Sequence, residues 1–146
     1  MVEQIEELKA SHLDECARLL MVSFNAEPWN DNYTLDTAGK QLAWFLGVPG
    51  CVGLVSIADG VVAFAIGYRE PSDVGEIFYL DTFCVRPDAQ RTGVGSRLLG
   101  HLEEYLGKRG VKAIHLGTYK GTAAEAFYKK NGYIVKPKNI VMSHEL

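Results

Sequence analysis

The stretch Leu80-Asp81-Thr82-Phe83-Cys84-Val85-Arg86-Pro87-Asp88-Ala89-Gln90-Arg91-Thr92-Gly93-Val94-Gly95 restricts the folding options of this chain more than any other segment. An apolar, β-rich run leads into a short Pro-containing turn. A Gln-x-x-Gly-x-Gly loop follows and opens directly into an amphipathic helix. Such an arrangement builds an anion site. The first turn of a helix carries backbone N–H groups without intrahelical partners, and the helix dipole adds partial positive charge there. Gly93 and Gly95 remove the Cβ atoms that would hold a phosphate at a distance, and they permit unusual backbone angles. Gln90 and Arg91 supply side-chain donors, Arg91 with a full charge. The expected anion-binding set is Gln90, Arg91, Thr92, Gly93, Val94, Gly95 and Ser96, and a pyrophosphate is its natural guest.

Other glycine-rich loops are excluded by residue type. A P-loop requires Gly-Lys-Ser/Thr at its end, whereas Gly95 is followed by Ser96-Arg97. A dinucleotide fingerprint requires a third glycine where Leu98 stands, and expects the loop in an early βαβ unit. A kinase loop would be accompanied downstream by Asp-Phe-Gly and a catalytic Asp-Asn pair, which the sequence lacks.

Gln90-x-x-Gly93-x-Gly95 after a strand ending in Val85 resembles the acyl-CoA signature of the GNAT superfamily of N-acetyltransferases. Ala124-Glu125-Ala126-Phe127-Tyr128-Lys129-Lys130-Asn131-Gly132-Tyr133 is similar to that family's Ala-x-x-Phe/Leu-Tyr-x-x-x-Gly-Phe/Tyr segment. The resemblance is strong from about Glu76 to Tyr133. It implies a mixed α/β fold with a central, mostly antiparallel sheet flanked by about four helices, and acetyl-CoA as co-substrate.

Length and charge agree with this. The 146 residues suit one domain spanning the chain, 1–146, and nearly half are apolar, enough for a sizeable core. A net charge of −3 with no Lys/Arg run gives no nucleic-acid track. No apolar run approaches the roughly 20 residues of a membrane span, and the acidic N-terminus does not read as a signal peptide. Cys16, Cys51 and Cys84 are too few and too dispersed for a disulfide framework, and the four histidines lack metal-ligand spacing, so no metal is expected. A cytoplasmic enzyme without membrane or nucleic-acid partners is the expectation; an exposed edge strand would support a homodimer.

The coarse element order is mixed. Ile5 to Leu8 reads as a strand. Ser11 caps a helix with Asp14 in its first turn and Leu13, Ala17, Leu20 and Phe24 on one face. Asn25 to Tyr33 is a loop, and Thr34 caps a second helix carrying Ala38, Leu42 and Phe45 or Leu46, ended by Pro49-Gly50. Cys51 to Ala58 and Val61 to Tyr68 form a hairpin about Asp59-Gly60, Glu70 to Asp73 turn, and Gly75 to Val85 is the next strand. The loop helix runs from Gly93 to about Arg109, with Val94, Leu98, Leu102 and Tyr105 or Leu106 on its apolar side. Lys112 to Thr118 is predicted as a strand, Ala123 to Asn131 as a helix, and Tyr133 to Ile134 with Ile140 to Met142 as terminal strands.

Acyl transfer from a thioester to an amine requires deprotonating the amine, stabilising the carbonyl oxygen and releasing the thiolate. The first demand is the largest: an alkylamine of pKa about 10.4 lies more than three units from its reactive form at pH 7, roughly 4–5 kcal/mol. A carboxylate, or water held by one, is the natural acceptor. Glu76 and Asp81 are the candidates on the strand before the loop. Simple alternation puts Tyr79, Asp81, Phe83 and Val85 on one face and Glu76 on the other unless a bulge changes the register.

The resemblance implies that backbone groups around Phe83, Cys84 and Val85 bind the pantetheine arm as an extra strand, with a nearby N–H polarising the carbonyl. It further implies that Tyr128 approaches the sulfur and protonates the departing thiolate. One departure is Gly121, where the family often has an asparagine that holds the pantetheine; Thr118 or Lys120 would take its place. Substrate choice would lie in Glu27-Pro28-Trp29-Asn30-Asp31-Asn32-Tyr33, where Trp29 and Tyr33 offer aromatic faces and Asp31 negative charge. A small cationic amine, such as a polyamine or an aminoglycoside-like compound, suits that lining; a protein or peptide amine is the alternative acceptor. Cys84 lacks a His or Asp partner for an acyl-cysteine route. The rival reading is a non-catalytic acyl-CoA sensor, which would need the glycine loop but neither the base nor Tyr128.

Overall fold

The computed structural model describes residues 2–146. Five strands form one sheet in the order β1 (Gln4–Glu7), β2 (Cys51–Ile57), β3 (Val61–Ser72), β4 (Gly75–Val85) and β5 (Ile114–His115). The first four pair antiparallel, whereas β5 joins β4 in parallel through Phe78↔Ile114 and Tyr79↔His115. The helices α1 (Leu13–Asn25), α2 (Leu35–Leu46), α3 (Val94–Gly107) and α4 (Ala123–Lys130) cover both faces. The expected mixed α/β architecture is therefore present.

Each face has its own core because strand side chains alternate and each helix buries one stripe. On one side, Cys16, Leu19 and Leu20 of α1 and Ala38, Leu42 and Phe45 of α2 meet Val55, Phe64 and Ile66 of the sheet. On the other, Val94, Leu98, Leu102 and Leu106 of α3 meet Leu54, Ala65, Phe78 and Leu80, with Phe127 and Tyr128 of α4 packed alongside. Thr34 caps α2 as expected, its hydroxyl accepting from Thr37 N–H at 3.1 Å.

Five sequence expectations need correction. Ser11 does not cap the first helix: it lies inside a 3-10 turn, Ala10–His12, where the His12 ring Nδ1 accepts from Lys9 N–H at 2.9 Å and α1 starts at Leu13. The third strand runs on to Ser72, so the turn shortens to the residues just before Gly75. The predicted strand from Lys112 to Thr118 contracts to two residues, and Tyr133–Ile134 and Ile140–Met142 form no strand. Strand propensity is realised only through a ladder with a neighbour; beyond the pairing of Ile114 and His115 with β4, these runs have none among the described residues. Among the described residues, no helix is long and apolar enough to cross a membrane.

Candidate active site

The chain leaves β4 at Val85, makes one 3-10 turn at Pro87–Ala89 and enters α3 at Val94. Arg91 and Gly93 both adopt left-handed backbone angles, with φ of 63° and 88°. Gln90 does not turn its side chain outward as a free donor. Its Nε2 donates to the Val85 carbonyl at 3.1 Å, while the Thr92 hydroxyl donates to the Ala89 carbonyl. Both side chains brace the loop against the strand end. The first i→i−4 bond of α3 runs from Arg97 N–H to the Gly93 carbonyl at 3.0 Å, leaving the amides of Val94, Gly95 and Ser96 as the unpaired first turn. The glycines divide the work. Gly93 supplies the positive φ, whereas a Cβ on Gly95 would lie 3.2 Å from Val85 Cγ2 and 3.3 Å from the Phe127 ring. Gly95 therefore lets the start of α3 seat between β4 and α4.

A bulge in the middle of β4 decides what that strand presents. Ile66 pairs with Thr82 but Gly67 pairs with Leu80, so Asp81 is the extra residue. Ahead of the bulge, Phe78 and Leu80 face α3, and Tyr79 stacks on Tyr68 on the opposite face at 5.9 Å. Beyond it the parity reverses, and Cys84 packs among α1 and α2 while Phe83 and Val85 turn toward α3 and α4. The simple alternation expected from sequence fails here for this reason.

The hydrogen-bonding edge reverses as well. Phe78 N–H donates to Ala113 beside β5 at 2.9 Å, but Arg86 N–H donates to Val62 on β3 at 2.7 Å. Counting back by twos from Arg86 aims the amides of Phe83 and Val85 away from β3. Among the described residues no strand meets them, because β5 leaves β4 after Tyr79↔His115. The result is an open slot of backbone donors and acceptors running from the bulge to the glycine loop.

Asp81 stands at the head of this slot. The bulge sets it beside Thr82, whose hydroxyl donates to Asp81 Oδ2 at 2.7 Å. Its side chain retains solvent access, yet burial of the carboxylate pushes its pKa up; the Thr82 hydrogen bond offsets part of that rise. Tyr79 and Tyr33 also have raised pKa values, from burial first and then from charges that include Asp81. Asp81 thus sits in an aromatic setting on the α1/α2 side of the sheet. Glu76 lies near the start of β4, 3.7 Å from the Arg69 guanidinium, and roughly 30 Å along the strand from Val85.

Tyr128 comes from α4 and packs against Phe83, Phe127 and Tyr133 at ring separations of 6.2, 5.3 and 5.6 Å. Burial is the main cause of its strongly raised pKa, and Cys84 adds to it, so the phenol stays protonated at neutral pH. The Cys84 thiol is fully buried with its pKa driven up by burial, and Cys16 beside it is pushed up to about 12. Neither is poised as a nucleophile.

The loop between α1 and α2 closes the opposite wall. Asn25 pins it through both backbone groups of one residue, its Oδ1 accepting from Tyr33 N–H and its Nδ2 donating to the Tyr33 carbonyl, each at 2.8 Å. The Tyr33 hydroxyl donates to Gln41 at 2.8 Å, beside a hollow of about 400 Å³ lined also by Asp31, Asn32 and Thr37. Trp29 lies between Phe24 and Tyr119, with ring centroids at 5.2 and 4.6 Å. Tyr119, which sequence reasoning did not single out, joins the α1–α2 loop to the segment after β5. Arg97 was also missed: it pairs with Glu3 while its Nη2 reaches the Thr92 carbonyl at 3.4 Å. Its position four residues after Gly93, one helical turn into α3, was the available signal.

The candidate site thus consists of a glycine-braced helix start, an open strand edge and a carboxylate at its bulge. The sequence profile of the acetyltransferase (GNAT) family matches residues 13–133. The chain belongs to the GNAT family and is an acetyltransferase. Solved structures agree in fold. A possible acetyltransferase from Clostridium difficile 630 superposes with a TM-score of 0.85 at 20% identity, covering 100% of this chain and 99% of its own. The aminoglycoside acetyltransferase meta-AAC0020 from an uncultured soil metagenomic sample, in complex with sisomicin, gives 0.78 at 16% identity, covering 99% and 96%. AAC(6')-Iy in complex with the bisubstrate analogue CoA-S-monomethyl-acetylneamine gives 0.78 at 15%, covering 100% and 99%. No curated protein matches the chain in sequence.

Proposed function

We propose that this chain, as a single domain, transfers acetyl from acetyl-CoA directly to a primary amine of a small cationic molecule. The observation that carries this reading is the open edge of β4 between Asp81 at the bulge and Val85, beyond which the loop leads to the free amides at the start of α3. The residues present fit the donor. Val94, Gly95 and Ser96 offer unpaired amides to a pyrophosphate, with Arg91 and Arg97 contributing charge, and Phe83 and Val85 offer a strand edge to an amide-bearing arm. Acetyl-CoA, when bound, supplies an activated thioester with a tolerable leaving group.

The chain's own groups perform the rest. Asp81, directly or through one water, accepts the proton that the amine must lose, and its raised pKa brings it closer to the working pH. Glu76, held by Arg69 at the far end of the strand, is the less favourable base. Tyr128 keeps its proton and delivers it to the departing thiolate, to be replenished from solvent. Trp29, Asp31 and Tyr33 bound the acceptor side with aromatic faces and a carboxylate, which suits an ammonium-bearing substrate such as a polyamine or an aminoglycoside. Two of the structural relatives were solved with an aminoglycoside or an acetylneamine conjugate, which supports testing that class first.

Calorimetric titration with acetyl-CoA, followed by an amine screen read as CoA release, tests the proposal. Saturable micromolar binding with amine-dependent release supports it. Binding without release for any polyamine, aminoglycoside or peptide amine would make the chain a sensor, and absence of binding at millimolar ligand would reject the site.

A further inference from the structure

Strands β4 and β5 part at a fork whose last rung is Tyr79↔His115, and the β4 edge stands open beyond it. The two sides of the sheet differ there. Phe83 and Val85 of β4 and Tyr128 of α4 pack with the α3 core, whereas Tyr79 stacks on Tyr68 on the α1/α2 side, where Tyr33 also packs. Tyr128, the proposed donor to the thiolate, occupies one side of the fork, which leaves the other to the acceptor. Tyr79 has no part in the acid–base chemistry, yet its ring crosses the base of the fork on the acceptor side. Its hydroxyl lies 3.6 Å from the point where a Cβ on Gly117 would stand, so the side chain reaches from β4 to the segment that leaves it. The Tyr68 ring, 5.9 Å away between centroids and inclined by 30°, backs it from β3. Tyr79 remains 36% exposed, and among the described residues nothing hydrogen-bonds its hydroxyl. Tyr33 is equally fixed, its backbone held by Asn25 and its hydroxyl by Gln41. Burial is the first cause of the raised pKa of both phenols, and the Asp81 charge adds to each, in keeping with a carboxylate close to both rings.

We infer that Tyr79 is the specificity-determining residue of the acceptor site, and that it selects a primary amine carried on an unbranched methylene arm. The inference rests on the acetyl-transfer reading above and deepens it. The methylenes next to the nitrogen lie against the exposed part of the Tyr79 ring, and the ammonium is attracted by its π face. The free phenol oxygen accepts from an ammonium N–H, which steers the nitrogen toward Asp81. Neither ring swings aside, because Tyr79 is held by Tyr68 and Tyr33 by Asn25 and Gln41. An amine whose α-carbon is branched, as on a saturated ring, meets the rings before its nitrogen reaches the carboxylate. Gly117 belongs to the same device: without a side chain it leaves the Tyr79 hydroxyl accessible from the β5 side.

Two amines of equal carbon count, n-hexylamine and cyclohexylamine, test this in the wild-type chain, Tyr79→Ala, Tyr79→Phe and Gly117→Val. Affinity is read by calorimetry on the CoA-saturated protein, and turnover as CoA release from acetyl-CoA. The wild type is expected to favour n-hexylamine by about tenfold in both readouts. Tyr79→Ala should weaken n-hexylamine by about tenfold, with the rise in KM exceeding any fall in kcat, and should abolish the preference. Tyr79→Phe keeps the ring and should keep the preference, at a loss of about threefold in affinity. Gly117→Val presses on the phenol from outside the β3–β4 ladder and should weaken n-hexylamine even if Tyr79→Ala fails to fold. Equal affinity of the wild type for the two amines, or no binding of n-hexylamine at about 10 mM, overturns the inference. So does a loss below about twofold in both Tyr79→Ala and Gly117→Val. Acetyl-CoA affinity, titrated in parallel, separates the two failures. Its absence in the wild type would reject the acetyl-transfer site itself, whereas normal acetyl-CoA binding with any of the overturning results removes only the role of Tyr79.

Discussion

Gly67→Ala probes the bulge on which the active-site geometry rests. A Cβ at Gly67 would lie 2.0 Å from the Tyr79 carbonyl oxygen and 2.7 and 2.9 Å from the Phe78 ring. Carbon–oxygen contacts in sheets settle near 3.3–3.6 Å and carbon–carbon contacts near 3.5–4.0 Å, so relief requires a displacement of more than about 1 Å. The nearest obstruction is backbone, and the ring is held in the α3 core with Phe78 fully buried. Parting β3 from β4 by that distance, against a normal spacing near 4.8 Å, weakens two or three ladder bonds worth about 0.5–1.5 kcal/mol each. Together with the usual cost of overpacking, the loss is roughly 2–4 kcal/mol. For a chain near 150 residues this lowers Tm by roughly 5–15 °C. Urea denaturation followed by circular dichroism and tryptophan fluorescence measures it. Acetyl transfer should fall more than the loss of folded protein explains, because Asp81 occupies the bulge opposite Gly67. A change in stability below about 0.5 kcal/mol, with normal activity, would refute the claim that Gly67 permits the bulge.

Asp81→Asn should reduce kcat by about 10²–10⁴-fold under the proposed mechanism and abolish the acidic limb of the pH–rate profile, which in the wild type lies above the ordinary carboxylate range. The same variant should be more stable than wild type at pH 7. Because folding raises the Asp81 pKa, its linked stabilisation is complete below the unfolded value near about 3.9 and is lost as pH rises through the folded one; melts at pH 3 should bring the two proteins together. Tyr128→Phe should slow turnover by about 10²-fold while acetyl-CoA affinity, read by calorimetry, stays within about twofold. Since burial keeps Tyr128 protonated far into the alkaline range, its titration should add no loss of wild-type activity up to pH 9.

Much of the architecture was legible because local signals and tertiary demands coincide. The apolar stripes of α2 and α3, the Thr34 cap, the Asp59-Gly60 turn and the approximate span of β4 all read directly, since each depends on neighbours a few residues away. The start of α1 was offset because a 3-10 turn, Ala10–His12, precedes Leu13; the His12 ring holds that turn by accepting from Lys9 N–H, which no simple cap rule anticipates. In the site, the loop position of Gln90 was legible, but the bond from its amide to the Val85 carbonyl, which braces the loop against the strand end, was not. The stack of Trp29 on Tyr119 joins residues ninety positions apart in sequence, so no local pattern could reveal it.

By itself, the sequence determined the kind of site this protein has. The spacing of Gln90, Gly93 and Gly95 before an amphipathic run dictates a helix start with free amides, because backbone conformation and hydrogen-bond accounting over six residues are local matters. Tertiary structure decided which groups that site faces. Strand parity is a global property: one extra residue, admitted because Gly67 lacks a Cβ, turns Asp81 toward the α1/α2 side and the Phe83 and Val85 amides toward an unpaired edge. Whether a β-prone segment becomes a strand is equally non-local, because its hydrogen bonds belong to a partner, and Ile140–Met142 finds none among the described residues.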